Sequence, residues 1–232
     1  MDARIEKIKQ SARLISLPEV YFQLRELLAS VDYAMAEVAL LVGRDPAMAA
    51  RFLRLVNSAL YRRTAEIETV GHAVSMLGTR QIHDIILCAA IADAFEGLSA
   101  GVMNMHRFWQ RSVFVAETAR QLACHRPELE SERMFVAGLL HDIGHLFIYQ
   151  AFPDEAEEVM LSATQDDCAI YHIEREWFGF DYALVGGLML KLWGLPKSLR
   201  IPVAHHPEPA RATDFKPETA ILHIAVQLVD HC

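Results

Sequence analysis

The sequence predicts an all-α fold, a multi-helical bundle whose helices are joined by short turns. Apolar residues recur at three- and four-residue spacing through nearly the whole chain, as in Leu24, Leu27 and Leu28, and alternating strand patterns are almost absent. Helix start and stop signals fall between these apolar segments. Because 53% of the 232 residues are hydrophobic, the chain can bury a sizeable core without disulfides or metals.

Individual helices are marked by local signals. The pair Leu17-Pro18 opens one helix, Asp45 caps the next with Pro46 at its first position, and Gly78 stops a third. Ser131 begins the segment that contains the pair His141-Asp142, and that segment runs to Pro153. Further helices are predicted over about 80–96, 104–124, 168–177, 182–193, 197–206 and 218–232.

A weak stretch in this pattern divides the chain into two predicted lobes. Residues 96–104, EGLSAGVMN, carry little helical periodicity and contain two glycines. We therefore expect an N-terminal helical lobe over about 14–97 and a second helical lobe over about 104–232.

Charge and composition exclude several classes of protein. A net charge of -8 disfavours a nucleic-acid partner, and we interpret the arginines at 51, 54, 62 and 63 as a solvated helix face. The four cysteines form no C-x-x-C pair, which argues against a structural zinc site and a disulfide framework. No signal peptide and no run of 18 apolar residues occurs, so we expect a cytoplasmic protein that is not in a membrane.

The pair His141-Asp142 is the main candidate for chemistry. It interrupts an otherwise apolar predicted helix, where a buried imidazole and carboxylate need partners to offset their desolvation. A divalent metal is one possible partner, and His145 lies one turn further on the same face. The alternative is a hydrogen-bonded structural pair, with Gly138 and Gly144 allowing close helix contact.

Three other polar features have structural as well as functional interpretations. Of the adjacent pair His205-His206, at most one ring faces a given site, because neighbouring helical residues point about 100° apart. Glu174 could face the His-Asp helix, but we favour a solvated glutamate. Asn57-Ser58 is interpreted as satisfying backbone groups at a helix end, and Gly186-Gly187 as a place of close helix approach.

Taken together, the motifs resemble the HDOD domain, the HD-related output domain of bacterial signalling proteins, from about Leu17 to the end of the chain. The segments that carry this resemblance are Leu17-Pro18, Arg44-Asp45-Pro46, Leu55 to Ala59, Ala73 to Gly78, Phe108-Trp109, Gly138 to Gly144, Glu174, Gly179, Trp193 to Pro196 and His205-His206.

The resemblance implies a fold related to the HD superfamily of metal-dependent phosphohydrolases, which includes the HD-GYP phosphodiesterases. It also identifies departures from the metal-binding pattern. Arg111 stands where active HD enzymes have a metal-ligating histidine, and a guanidinium has no lone pair to donate to a metal. Tyr182 stands where related sequences often have histidine, and the last aspartate of the ligand set is replaced near Val226, with Asp230 a turn later. If Arg111 faces Asp142, an ion pair satisfies the buried carboxylate in place of a metal.

Two functions remain in competition. The first is a regulatory or scaffolding signalling module with a degenerate metal site, which binds a signalling protein or a small nucleotide-like ligand and has no catalytic residue and no cofactor. Its expected pocket consists of Arg111, His141, Asp142, Glu174, Tyr182 and His205. The alternative is a divergent metal-dependent phosphohydrolase in which His141, Asp142 and His205 hold iron, manganese or zinc. The sequence does not predict the oligomeric state.

Overall fold

A computed structural model describes residues 2–14, 19–30, 32–57, 67–78, 81–83, 85–87, 89, 103–165 and 169–231. Within these ranges the regular structure is helical throughout, as predicted. The helices are α1 (Asp2–Leu14), α2 (Glu19–Ala29), α3 (Met35–Gly43), α4 (Pro46–Val56), α5 (Val70–Met76), α6 (Met105–Cys124), α7 (Ser131–Leu140), α8 (Ile143–Ala151), α9 (Pro153–Gln165), α10 (Ile170–Phe178), α11 (Tyr182–Leu192), α12 (Lys197–His205) and α13 (Lys216–Asp230), with a short 3-10 turn at Pro209–Arg211.

The chain forms two compact units. One comprises Ser16–Glu96, and the other comprises Met1–Ile15 together with Gly97–Cys232. Among the described residues, no helix is both long enough and apolar enough to cross a membrane.

The first unit contains α2 to α5, and its described helix ends agree with the sequence signals. Asp45 caps α4 by accepting a hydrogen bond from the backbone N–H of Met48 at 3.1 Å. The side chain of Asn57 bonds both the N–H and the C=O of Ile67 at 2.8 Å, so it satisfies backbone groups as expected, although these belong to a residue ten positions on and not to a helix end. Leu17-Pro18, Ser58, Arg62, Arg63 and most of the helix predicted over 80–96 lie outside the described residues.

The second unit is organised around α7. Every residue from Met134 to Tyr149 is buried, so this segment is surrounded on all sides by other helices. The helix α7 contacts α6, α12 and α13, while α8 contacts α1 and α11. Side chains at the junction of α7 and α8 therefore lie in the interior of the unit.

His141 and Asp142 lie at that junction, which corrects the prediction of one continuous helix through the pair. The helix α7 ends at Leu140 and α8 begins at Ile143, because Asp142 adopts φ -96° and ψ 2°, outside the α-helical range. A turn at this point lets two neighbouring side chains face the same site, which 100° steps along a helix would prevent.

Glycines allow the close helix contacts that the sequence indicated. A Cβ on Gly138 would lie 2.8 Å from the backbone nitrogen of Ala116 in α6, and a Cβ on Gly187 would lie 3.0 Å from the carbonyl oxygen of Arg200 in α12. These backbones can approach only because no side chain intervenes.

The N-terminal helix α1 was not predicted. Its sequence is mostly polar or charged, and Ile8 is its one described residue with a fully buried side chain. It is held to the second unit by Arg4, which bonds the carbonyl of Trp177, and by Lys7, whose Nζ lies 4.5 Å from the centre of the Phe152 ring. Cation–π contacts of this kind depend on tertiary structure and leave no periodic signal in the sequence.

Candidate functional site

The imidazole of His141 is fully buried and its hydrogen bonds define its tautomer. Its Nδ1 lies 2.6 Å from the carbonyl oxygen of Gly138, and a carbonyl can only accept, so Nδ1 donates. Its Nε2 lies 2.6 Å from Nη1 of Arg111, and a guanidinium can only donate, so Nε2 accepts. The lone pair that a metal would use is therefore directed at Arg111.

Arg111 on α6 joins two carboxylates. Its Nη1 also contacts Oδ2 of Asp142, so the ion pair that the sequence suggested is present. Its other edge donates from Nε and Nη2 to the two carboxylate oxygens of Asp230 at 2.8 and 2.9 Å. This is the forked geometry in which arginine binds carboxylates best.

The electrostatics of this cluster favour the charged forms of Asp142 and Arg111. Burial by itself would raise the pKa of Asp142, but the permanent charge of Arg111 beside it holds that pKa well below the ordinary value. Burial likewise lowers the pKa of Arg111, but the charges of Asp142 and Asp230 more than offset this, and its pKa is raised. Asp142 is thus a carboxylate that depends on Arg111 for its compensation.

A second group of polar side chains consists of Glu174 and His145. Glu174 on α10 is completely buried and accepts a hydrogen bond from the backbone N–H of Tyr182 at 2.6 Å. Its other carboxylate oxygen is 3.2 Å from Nδ1 of His145. The expectation of a solvated Glu174 was therefore wrong, since this carboxylate caps the N-terminus of α11 and faces the α8 histidine.

Tyr182 links the two groups. Its ring stacks on that of His145 with centroids 3.9 Å apart, and its hydroxyl lies 3.1 Å from Nε2 of His206. The ring of His206 is in turn 5.4 Å from that of His141, measured between centroids.

The histidine that reaches the site is His206, not the predicted His205. His206 is buried and its Nδ1 bonds the carbonyl of Val203 at 2.8 Å, whereas His205 is partly exposed and does not line the site. Helical spacing alone does not separate the two histidines, because His206 follows the buried Leu199 and Val203 by seven and three residues and His205 follows the buried Ser198 and Pro202 by the same spacings.

Comparison with known proteins identifies the family. The sequence profile of the HDOD domain matches residues 14–209. The chain belongs to the HDOD domain family. This match confirms the family that the sequence motifs suggested. The all-α fold that the family implies is confirmed as well.

Two solved structures resemble this HDOD chain along almost all of its length. A provisionally named phosphohydrolase from Shewanella amazonensis SB2B is 26% identical, with a TM-score of 0.81, and the match covers 97% of this chain and 80% of that one. An HDOD domain protein of unknown function from Geobacter sulfurreducens is 25% identical, with a TM-score of 0.79, over 100% of this chain and 78% of that one.

A curated relative is more distant and longer. It is an uncharacterised protein from Treponema pallidum (strain Nichols), 18% identical over 98% of this chain, and the HDOD chain spans 44% of its length. The relative therefore has a large region that this chain does not match.

A cavity of about 760 Å³ opens beside the His-Asp turn of the HDOD chain. Arg111, Asp142, Tyr182 and His206 line it, and Val226 adds an apolar wall. Its volume is in the range of small-molecule sites. Sequence reasoning missed Arg107, which also lines the cavity, because an exposed arginine near a helix start has no distinctive pattern.

The donors of this site do not fit the divalent metal that the HD superfamily implies. Within the described ranges, no group of three or more His, Cys, Asp or Glu side chains is arranged to hold a metal ion. Nη1 of Arg111 lies against both Nε2 of His141 and Oδ2 of Asp142, where a metal would have to bind. A positive guanidinium at that point repels a cation and offers it no lone pair.

The buried His206 predicts that stability falls as the pH drops below neutral. Burial, together with the neighbouring His141 and Arg111, lowers the pKa of His206 from 6.5 to about 3, whereas the unfolded chain takes up this proton near pH 6.5. Below pH 6.5 the unfolded state therefore binds more protons, and stability present above that pH is lost progressively toward pH 3. We expect a loss of about 2 kcal/mol between pH 7 and pH 5 from this residue.

Urea unfolding at several pH values measures this effect. His206→Gln should flatten the slope between pH 7 and pH 5, whatever its effect on absolute stability. The matched control His172→Gln, at an exposed position on α10, should leave the slope unchanged. Equal slopes in the wild type and His206→Gln would show that His206 is not the group responsible.

Proposed function

We propose that this HDOD chain is a regulatory or scaffolding signalling module that binds a partner, and that Arg111 replaces the metal of its enzymatic relatives. The observation that carries the proposal is the position of one atom. Nη1 of Arg111 contacts the two side chains, His141 and Asp142, that define the HD pair. A site whose ligands are already satisfied by an internal cation does not need a metal and cannot use one to activate water.

The buried pair of this arrangement, Arg111 and Asp142, is balanced in charge without a metal, and the second carboxylate on Arg111, that of Asp230, is partly exposed. Arg111 lies between Asp142 and Asp230, and the neutral tautomer of His141 has both ring nitrogens hydrogen-bonded. Buried charges require such compensation, and here the chain itself supplies it. The cluster then serves to fix the junction of α7 and α8 beside the cavity.

The partner that we propose is a signalling protein or a small ligand. The cavity supports the ligand version, because small-molecule sites combine apolar walls with a few directed polar groups. The net charge of -8 argues against nucleic acid. We also infer that the protein acts in the cytoplasm, which agrees with four cysteines that form no C-x-x-C pair.

Metal analysis of the native protein tests the proposal. Purified wild-type protein should contain well below one equivalent of iron, manganese or zinc. Arg111→His removes the cation and adds an imidazole beside His141 and Asp142, so this variant should gain metal after incubation with Mn²⁺ or Zn²⁺. Arg107→His, one turn earlier on the same helix, is the matched control and should gain none.

A divergent metal-dependent phosphohydrolase is the alternative function. Its support is the name of the 26% identical relative from Shewanella amazonensis, and the closeness of His141, Asp142 and His206, which takes the place of the predicted ligand His205. This alternative requires stoichiometric metal in the wild type and phosphodiester hydrolysis that Asp142→Ala abolishes. Those two results together would overturn the signalling proposal.

A further inference from the structure

The two carboxylates on Arg111 differ in how firmly they are held. The side chain of Asp142 is only 10% exposed and belongs to the buried junction, whereas that of Asp230 is 38% exposed and is the last residue of α13. An exposed ion pair contributes little to stability, while separating a buried one leaves an uncompensated charge. Asp230 is therefore the carboxylate that another anion can replace.

A second guanidinium lies in the same cavity. Arg107 precedes Arg111 by one helical turn, so both side chains project from the same face of α6, and both line the cavity. Arg107 is exposed and has no ion-pair partner in the part of the chain that the structure describes. An anion entering the cavity thus finds one free guanidinium and one whose outer edge is occupied by an exchangeable carboxylate.

The rest of the cavity suits an organic group attached to such an anion. Phe108, Tyr149 and Tyr171 line it together with the residues of the HD cluster. Aromatic walls bind the flat or apolar part of a small ligand, and the guanidiniums select its charged part.

We propose that this cavity binds a small organic phosphate or diphosphate, which displaces Asp230 from the outer edge of Arg111 and frees the last turn of α13. Phosphate oxygens accept forked hydrogen bonds from Nε and Nη2 of Arg111 as the Asp230 carboxylate does, and a diphosphate extends to Arg107 as well. A single carboxylate would only substitute for Asp230 and would not reach both guanidiniums. This inference rests on the proposed function, because it requires Arg111 and not a metal at the His-Asp turn.

Calorimetric titration with inorganic pyrophosphate tests the binding step. Asp230→Asn removes the competing carboxylate and should tighten binding about five-fold, while Arg107→Gln should weaken it about five-fold. Glu157→Gln, which removes an exposed charge on α9 outside the cavity, should bind like the wild type. Acetate, which carries a single carboxylate, should bind more weakly than pyrophosphate. Absence of pyrophosphate binding in both the wild type and Asp230→Asn, equal affinities in all four proteins, or acetate binding as tightly as pyrophosphate would overturn the proposal.

Hydrogen exchange tests the release of α13. Pyrophosphate should increase amide exchange in residues 227–231 of the wild type, and Asp230→Asn should show the increase without ligand. Unchanged exchange on saturation would refute the displacement. Metal content decides the proposed function separately: a metal-free protein without pyrophosphate binding removes only this inference, whereas stoichiometric metal in the wild type removes the proposed function too.

Discussion

Gly144→Ala is expected to lower the free energy of unfolding by about 4 kcal/mol or more, or to prevent folding of the second unit. A Cβ at this position would overlap the carbonyl oxygen of Tyr182 and lie 2.7 Å from the backbone nitrogen of Gly186. Both obstacles are backbone atoms of α11, so no side-chain rotation can relieve the overlap. The helix α8 would have to move away from α11, and the contacts of His145 and Tyr182 would be lost with it.

Gly186→Ala is the matched control on the opposite side of the same contact. There the nearest atom to a new Cβ is Cγ1 of Val203 at 3.1 Å, a side-chain atom that can shift. We expect a change within about 1 kcal/mol, since the gain in helix propensity offsets the tighter contact. Urea unfolding followed by circular dichroism measures both variants, and equal losses in the two would show that backbone overlap does not determine the effect.

The helices of this protein could be predicted because their signals are local. Apolar spacing and capping residues are read within a few positions of each other, as with Asp45 and Met48, and these patterns identified α4, α6 and the helices from α10 to α13. The helix α1 could not be predicted in this way. Its stability depends on α8 and on the ring of Phe152, which lies more than a hundred residues away in sequence.

The site was predicted in part. The features that were missed depend on contacts or backbone geometry that apolar spacing and local signals do not show. Arg111 could be matched with Asp142 because a buried carboxylate requires compensation by an opposite charge. The burial of Glu174 could not be foreseen, since its partner is the N-terminus of a helix that follows a turn. The break between α7 and α8 was missed because both segments are apolar. One non-helical residue between them does not change the apolar pattern from which helices are predicted.

Arg111→Ala is expected to destabilise the protein by roughly 3–5 kcal/mol. The substitution leaves Asp142 as a nearly buried carboxylate without its cation and removes the donor to Nε2 of His141. Asp230→Asn breaks only the outer edge of the same guanidinium, where the carboxylate is 38% exposed, and should cost about 1 kcal/mol or less. Unfolding by urea compares the two directly.

The double variant Arg111→Ala with Asp142→Asn separates lost charge compensation from lost contact area. If the penalty comes from an uncompensated Asp142, neutralising that carboxylate should recover at least half of it, and the two single changes should show a coupling of roughly 2 kcal/mol. If the penalty comes from the volume of the arginine side chain, the double variant should be no more stable than Arg111→Ala. Recovery would mean that the carboxylate of the HD pair, once deprived of its cation, is the main source of instability, which is the physical reason that this chain needs an arginine at position 111.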